Sequence, residues 1–337
     1  MPANLSACKS GCLYQNMTNL QHTSSKVSVI IPTFNEEKYL PLCLESISNL
    51  SWPEDRLEVI VVDNGSQDKT CEIAAAFNAR VLTDKTKNVS GLRNLGAKYA
   101  SGQILAFLDA DCIVSPDWLM AAEKYFYDEK IVAWGSPPQI DSDATWVQKA
   151  WYLIREKSSL PETVPWLESM NFFVRKEKFT HLNGFDESLV TCEDVDFSYR
   201  ISSHGLIMAD QAISAVHLGE ADTVLAFAKK ELWRGVGNFH GLFRHGIHLK
   251  ELPSLGIPLY FGLFLPLLFA LVAISMNATL GMAGLLAFLV PGGWVLFKVR
   301  NKKAGFLRKA QLFFLVYLYF FVRTLAVLPF KISRWQK

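Results

Sequence analysis

Acidic residues stop at Glu251. The 86 residues that follow contain no Asp or Glu, although they hold ten cations: Lys298, Arg300, Lys302, Lys303, Arg308, Lys309, Arg323, Lys331, Arg334 and Lys337. Between Leu252 and Phe297 charge of either sign is missing across 46 residues. A run of that length without a carboxylate, and with room for few helices, argues against an ion- or proton-coupled transporter. Charged residues make up only 20% of the chain and half of it is apolar, which excludes a disordered chain or a nucleic-acid-binding tail. The first 26 residues lack the apolar segment that a signal peptide needs after Lys9, and they are expected to form a mobile leader. Cysteine is sparse and scattered, at 8, 12, 43, 71, 112 and 192. Cys8 and Cys12 have no second half of a metal motif, so free thiols in a reducing compartment are expected. No glycine-rich phosphate loop follows the first strand, and Gly235-Val-Gly-Asn-Phe-His-Gly241 has the wrong spacing for one.

What is present divides by charge. The chain up to Glu251 carries 24 basic and 32 acidic residues, a net of −8, while the tail carries +10. This reads as two physical objects joined end to end. A membrane span needs about 20 apolar residues. Two fit the uncharged run, at 255–274 and 279–297, with a turn at Ser275-Met276-Asn277-Ala278. The basic loop 298–309 points to the cytoplasmic side, so the hairpin leaves the acidic part cytoplasmic. A third apolar stretch, 312–330, is broken by Arg323 and fits either a third span or a helix lying in the interface. The expected division is a leader over 1–26, a catalytic domain over 27–235, a connector over 236–254 and a membrane region over 255–337.

The acidic part alternates strand and helix. Val27–Pro32 is a β-branched run, and 36–48 has helical apolar spacing. Leu57–Val62 is a strand apolar on both faces, 69–77 is helical and Arg80-Val-Leu is a brief strand. A helix over 89–100 and a strand over 103–108 complete the series. Such alternation implies a mostly parallel sheet in an α/β domain, with ligands beyond the carboxyl ends of its strands.

Those ends carry Thr33-Phe-Asn-Glu36, Asp63-Asn-Gly-Ser66 and Asp109-Ala-Asp111. Read as extended, Asp109 and Asp111 project to one side, where two carboxylates need a cation. Their hardness suits Mn²⁺ or Mg²⁺ shared with phosphates. Further on, Thr191-Cys-Glu-Asp-Val-Asp196 opens a helix and offers a general base. His217 ends an apolar run and is a candidate third metal ligand. Lys229–Arg234, with Trp233, lies on an amphipathic stretch suited to phosphates or to the bilayer surface.

Taken in order, Val27-Ser-Val-Ile-Ile-Pro-Thr-Phe-Asn-Glu36, Val62-Asp-Asn-Gly-Ser-Gln-Asp-Lys-Thr70, Gly91-Leu-Arg-Asn-Leu-Gly96, Phe107-Leu-Asp-Ala-Asp111 and Glu193-Asp194 resemble the family 2 glycosyltransferases, in their membrane-anchored bacterial form. The resemblance covers about residues 27–220. It implies a Rossmann-like GT-A fold and inverting sugar transfer from a nucleotide sugar. It implies donor contacts from Thr33, Asn35, Glu36, Asp63, Arg93 and Asp109, a metal pair of Asp109 and Asp111, and Asp194 as base with Glu193 beside it. Processive synthases of the family carry Gln-x-x-Arg-Trp, whereas the nearest segment here is Lys230-Glu-Leu-Trp-Arg234, which favours single-sugar transfer. The acceptor is expected to be a lipid-linked or envelope saccharide reached at the cytoplasmic membrane face, with membrane lipids as partners and no nucleic acid. The alternatives are a polyprenyl-phosphate sugar synthase and an inactive membrane adaptor that keeps the fold.

Overall fold

A computed structural model describes residues 25–156, 161–189, 191–242 and 252–326. The leader, apart from residues 25 and 26, lies outside the described residues, as do Cys8, Cys12 and the end of the third apolar stretch.

Four strands, β1 (Val27–Thr33), β2 (Leu57–Asp63), β3 (Arg80–Thr83) and β4 (Ile104–Leu108), alternate with helices α1 (Leu40–Ser48), α2 (Thr70–Ala76) and α3 (Val89–Tyr99). There follow β5 (Cys112–Val114), α4 (Trp118–Glu123), β6 (Ile131–Gly135), α5 (Trp146–Arg155), β7 (Glu162–Thr163), β8 (Asn171–Arg175), α6 (Lys176–His181), α7 (Glu193–Ser202), β9 (Leu206–Ala209), β10 (Ala215–His217) and α8 (Val224–Leu242). The main sheet runs β3-β2-β1-β4-β8-β6-β9-β7, and β5 pairs with β10 in a second, two-stranded sheet. The first four strands are parallel, and β8 enters antiparallel to β4. In register, Thr33 sits opposite Asp63, so the ends of β1 and β2 meet at one edge.

Both faces of the sheet are covered, which is why β1, β2 and β4 read as nearly unbroken apolar runs. Val29, Ile31 and Val61 pack with Leu40 and Leu44 of α1 on one face. Ile30, Ile60, Val62 and Phe107 pack with Leu92 and Ala97 of α3 on the other. The approach of α3 is close: a Cβ at Gly96 would stand 2.4 Å from Ile30 Cγ2.

The helix expected from residue 36 starts at Leu40 instead. Asn35 adopts φ 54°, outside the helical region, and Pro41 sits in the first turn, where its missing N–H costs nothing. Residues 34–39 instead tie the end of β1 to the loop after β2. Asn35 N donates to Ser66 Oγ over 2.8 Å, Glu36 N to Thr70 Oγ1 over 2.8 Å, and Gln67 N to Asn35 Oδ1 over 2.8 Å.

The tail begins with α9 (Leu252–Leu259), which continues through a π-helical turn at Tyr260–Phe264 into α10 (Leu265–Ser275). After a turn come α11 (Ala278–Lys298) and α12 (Phe306–Leu325). Met276 takes the left-handed conformation at φ 50°, and Asn277 Oδ1 accepts from Thr279 N and Leu280 N to start α11. Among the described residues, two helices are long and apolar enough to cross a membrane, Gly256–Ser275 and Ala278–Lys298, within a residue or so of the expected spans. The stretch expected from 312 is helical from Phe306.

One helix of the tail, α12, packs on the acidic part. Leu312, Leu315, Val316 and Phe320 of α12 form one buried cluster with Val147, Ala150 and Leu153 of α5, Phe227 of α8, and Val295 and Val299 at the end of α11. Trp151 stacks edgewise on Phe227 at 4.8 Å and meets Tyr319 at 5.4 Å. Arg323, which looked like an interruption of a span, pairs with Glu231 at 2.8 Å.

Candidate active site

The strand ends deliver the sequence-derived candidates to the sheet edge, but not as one open array. Asp63 is 1% exposed. Its carboxylate accepts from Thr33 Oγ1 at 3.3 Å, Gly65 N at 2.7 Å, and Ser66 N and Oγ at 2.9 and 2.5 Å. Thr33, Asn35, Glu36 and Asp63 therefore form a braced platform at the β1–β2 edge.

Asp109 and Asp111 part from each other. The chain turns at Ala110, with Cys112 N donating to Asp109 O over 3.1 Å, so the segment is not extended, and the two carboxylates take different partners. Asp109 accepts from Arg93 Nη2 over 2.6 Å and its side chain is 30% exposed. Asp111 is buried, with Oδ1 3.2 Å from His217 Nε2. Antiparallel pairing of β5 with β10 sets His217 opposite Cys112, which brings the histidine to the aspartate. Among the described residues, ligand atoms of Asp111, Cys112 and His217 lie within 4.8 Å of one another. The carboxylate of Asp111 and the imidazole of His217 are donors that a divalent ion such as Mn²⁺ or Mg²⁺ can take, while burial keeps the Cys112 thiol protonated. A Cβ at Gly219 would stand 1.9 Å from Asp111 Oδ2, so only glycine lets this loop close over the carboxylate.

His217 is pulled two ways. Burial disfavours its charged form, but Asp111 and Glu220 outweigh that and push its pKa up to about 9. Glu220, which the sequence did not single out, sits 3.2 Å from Nδ1. Arg155 and Lys230 join it there, at 2.5 and 3.4 Å. These partners come from separate elements, and local spacing carries no signal for them.

The start of α7 holds the second pair. Cys192, at φ 65°, is its N-cap residue. Glu193 Oε1 accepts from Arg93 Nη1 over 2.7 Å and from Ser169 Oγ over 3.4 Å. Arg93, 3% exposed, thus clamps Asp109 to Glu193. Asp194 turns elsewhere: Ser169 N donates to Oδ2 at 3.2 Å and Val195 N to Oδ1 at 2.8 Å. Burial, then Glu193 and Glu168, raise its pKa to about 7. Glu168, also unforeseen from the sequence, has a buried Oε2 without a hydrogen-bond partner.

A family model described as "Glycosyl transferase family 2" matches residues 28–183. Glycosyltransferase AglE of Haloferax volcanii is 29% identical over 188 residues, 53% of this chain and 62% of that protein. Validoxylamine A glucosyltransferase of Streptomyces hygroscopicus subsp. limoneus is 26% identical over 233 residues, 54% of this chain and 49% of that protein. The chain thus matches less than two thirds of the length of these relatives. In fold it is similar to mannosyltransferase PcManGT from Pyrobaculum calidifontis, solved in complex with GDP-Man and Mn²⁺. That likeness has a TM-score of 0.59 and 20% identity, covering 90% of this chain and 88% of the other. Residues 28–183, which hold most of the GT-A sheet and the strand-end acids and stop short of the Glu193-Asp194 helix start, thus match a family 2 glycosyltransferase domain.

Proposed function

We propose that the protein is an inverting glycosyltransferase. It moves one sugar from a nucleotide-sugar donor to a hydroxyl of a lipid-linked or envelope saccharide at the cytoplasmic face of a membrane. The observation that carries the reading is Asp194. A buried carboxyl with a pKa raised to about 7, next in the chain to a Glu193 that Arg93 ties to Asp109, is matched to general-base work near neutral pH.

In this reading the β1–β2 platform of Thr33, Asn35, Glu36 and Asp63 seats the base and ribose. Arg93 keeps Asp109 and Glu193 in place next to the diphosphate. Asp111 and His217 would hold Mn²⁺ or Mg²⁺, whose charge when bound offsets that of the departing diphosphate. Asp194 takes the proton of the acceptor hydroxyl, which attacks the anomeric carbon from the face opposite the leaving group and inverts it. A phosphate acceptor would need no such base.

The membrane reading rests on the hairpin of Gly256–Ser275 and Ala278–Lys298. The helix α12 buries Leu312, Leu315, Val316 and Phe320 while exposing Phe306, Leu307, Phe314 and Phe321. One apolar side against the sugar-transfer domain and another facing outward suit a helix in the interface better than a third crossing. The test is a thermal-shift screen of nucleotide sugars with and without Mn²⁺ on the full chain in detergent, followed by single-turnover transfer. A stabilising donor that needs the metal supports the reading; no stabilisation by any nucleotide sugar rejects it.

A further inference from the structure

Glu220 is a junction. Its Oε1 lies 3.2 Å from His217 Nδ1 and accepts from Arg155 Nη1 over 2.5 Å, while Oε2 accepts from Lys230 Nζ over 3.4 Å. Its backbone carbonyl accepts from Gln148 Nε2 over 2.9 Å, and Lys230 Nζ also donates to Gly219 O over 3.1 Å. A histidine whose Nδ1 is engaged by a carboxylate has its tautomer and ring plane set, which leaves Nε2 for a ligand. Here that Nε2 faces Asp111. Glu220 thus orients the histidine, and Gly219, the residue just before it, is pressed onto Asp111.

The braces on Glu220 belong to α5 and α8. Arg155 ends α5, where its other nitrogen pairs with Glu168 at 2.5 Å. Lys230 lies in α8, next to Glu231. Both helices rest on α12: Val147, Ala150, Leu153 and Phe227 share its buried cluster. Glu231, 2% exposed, takes Arg323 of α12 at 2.8 Å and Arg234 at 2.8 Å. Neighbouring residues of one helix therefore face opposite ways, Glu231 toward the tail and Lys230 toward the candidate metal loop.

We propose that Glu220 is a positioning residue for His217, and that α12 holds Glu220 in place through α5 and α8, so that metal affinity at Asp111 and His217 depends on how the apolar tail is docked. The identity of the metal rests on the glycosyltransferase reading above. Loss of an outer partner of a metal-ligating histidine costs about 10–100-fold in affinity. Disturbing a packed element that links two sites shifts coupling by roughly 2- to 30-fold.

The experiment titrates the full chain in detergent with Mn²⁺ alone and reads free ion by electron paramagnetic resonance, with a thermal melt beside each titration. Glu220→Ala is expected to weaken Mn²⁺ by about 10–100-fold. Glu220→Gln keeps the shape and replaces it should the alanine variant not melt cooperatively. The double variant Glu231→Gln/Arg323→Met removes the tail contact while leaving an amide oxygen for Arg234 to donate to, and is expected to weaken Mn²⁺ by roughly 2- to 30-fold although it replaces no candidate ligand. Wild-type affinity in the Glu220 variants overturns the positioning role. Weakening there but not in a cooperatively melting double variant overturns the link to the tail. No Mn²⁺ binding by the unaltered chain removes instead the metal assignment on which both depend.

Discussion

Arg93 Nη1 donates to Glu193 Oε1 over 2.7 Å, and this pairing separates two adjacent carboxylates. Glu193 is occupied by a buried cation, while among the described residues Asp194 accepts from the backbone N–H groups of Ser169 and Val195. Asp194→Asn is expected to lower single-turnover transfer by about 10²–10⁴-fold with donor affinity kept. Glu193→Gln is expected to act differently, weakening donor binding as Arg93 loses a partner. A donor titration run beside transfer for both variants separates the two. Full transfer by Asp194→Asn would remove it as base.

The same carboxylate sets a pH dependence. A base works only when deprotonated, and burial with Glu193 and Glu168 nearby raises Asp194 to about 7. Transfer should therefore climb as pH rises through about 7 and level off above it. The profile of kcat with saturating donor and metal checks this, and a rate already flat at pH 5 would contradict it.

The parting of Asp109 and Asp111 predicts unequal variants. Asp111→Asn should abolish Mn²⁺ binding, because this carboxylate faces His217 at 3.2 Å. Asp109→Asn should leave Mn²⁺ binding measurable and act through Arg93, which it holds at 2.6 Å. Calorimetric Mn²⁺ titration of the two variants decides. Equal loss in both would restore the side-by-side pair.

Gly219→Ala should disable the metal loop without replacing a ligand. The new methyl would stand 1.9 Å from Asp111 Oδ2, so the loop or the carboxylate must move. The expected readout is loss of Mn²⁺ binding at a nearly unchanged melting temperature. Normal binding would show that the loop yields freely.

Deleting residues 252–337 should leave an aggregating protein. The cut uncovers Val147, Leu153 and Phe227, each worth about 1.5–3 kcal/mol when buried. It also removes Arg323 from Glu231. Against a domain stability of about 5–15 kcal/mol this is a large loss. Size-exclusion chromatography and a thermal melt of the truncated chain check it; a monomer as stable as the full chain would refute it.

The sheet was legible because strands covered on both faces print as unbroken apolar runs, as in Leu57–Val62. The spans were legible for a similar reason, since charge is missing throughout them. Local backbone choices were harder to read. The turn at Ala110 and the left-handed Asn35 replace extended and helical conformations that apolar spacing alone supports. Least legible were pairings between distant segments. Nothing in the periodicity of α12 announces that Arg323 has Glu231 for a partner, or that Arg155 and Lys230 converge on Glu220. Glu220 stands three residues after His217, a spacing visible in the sequence that gains meaning only once β5 and β10 pair.

The seating of α12 on α5 and α8 also fixes an order of events during synthesis. The sugar-transfer domain leaves the ribosome first, followed by the apolar hairpin, and only then by the helix that closes over Val147, Ala150, Leu153 and Phe227. Until then the nascent domain carries an open apolar face and a carboxylate at Glu231 that lacks its cation from the tail. Completion of the domain thus waits on α12, so a chain stalled short of it is left with the apolar face of α5 and α8 uncovered.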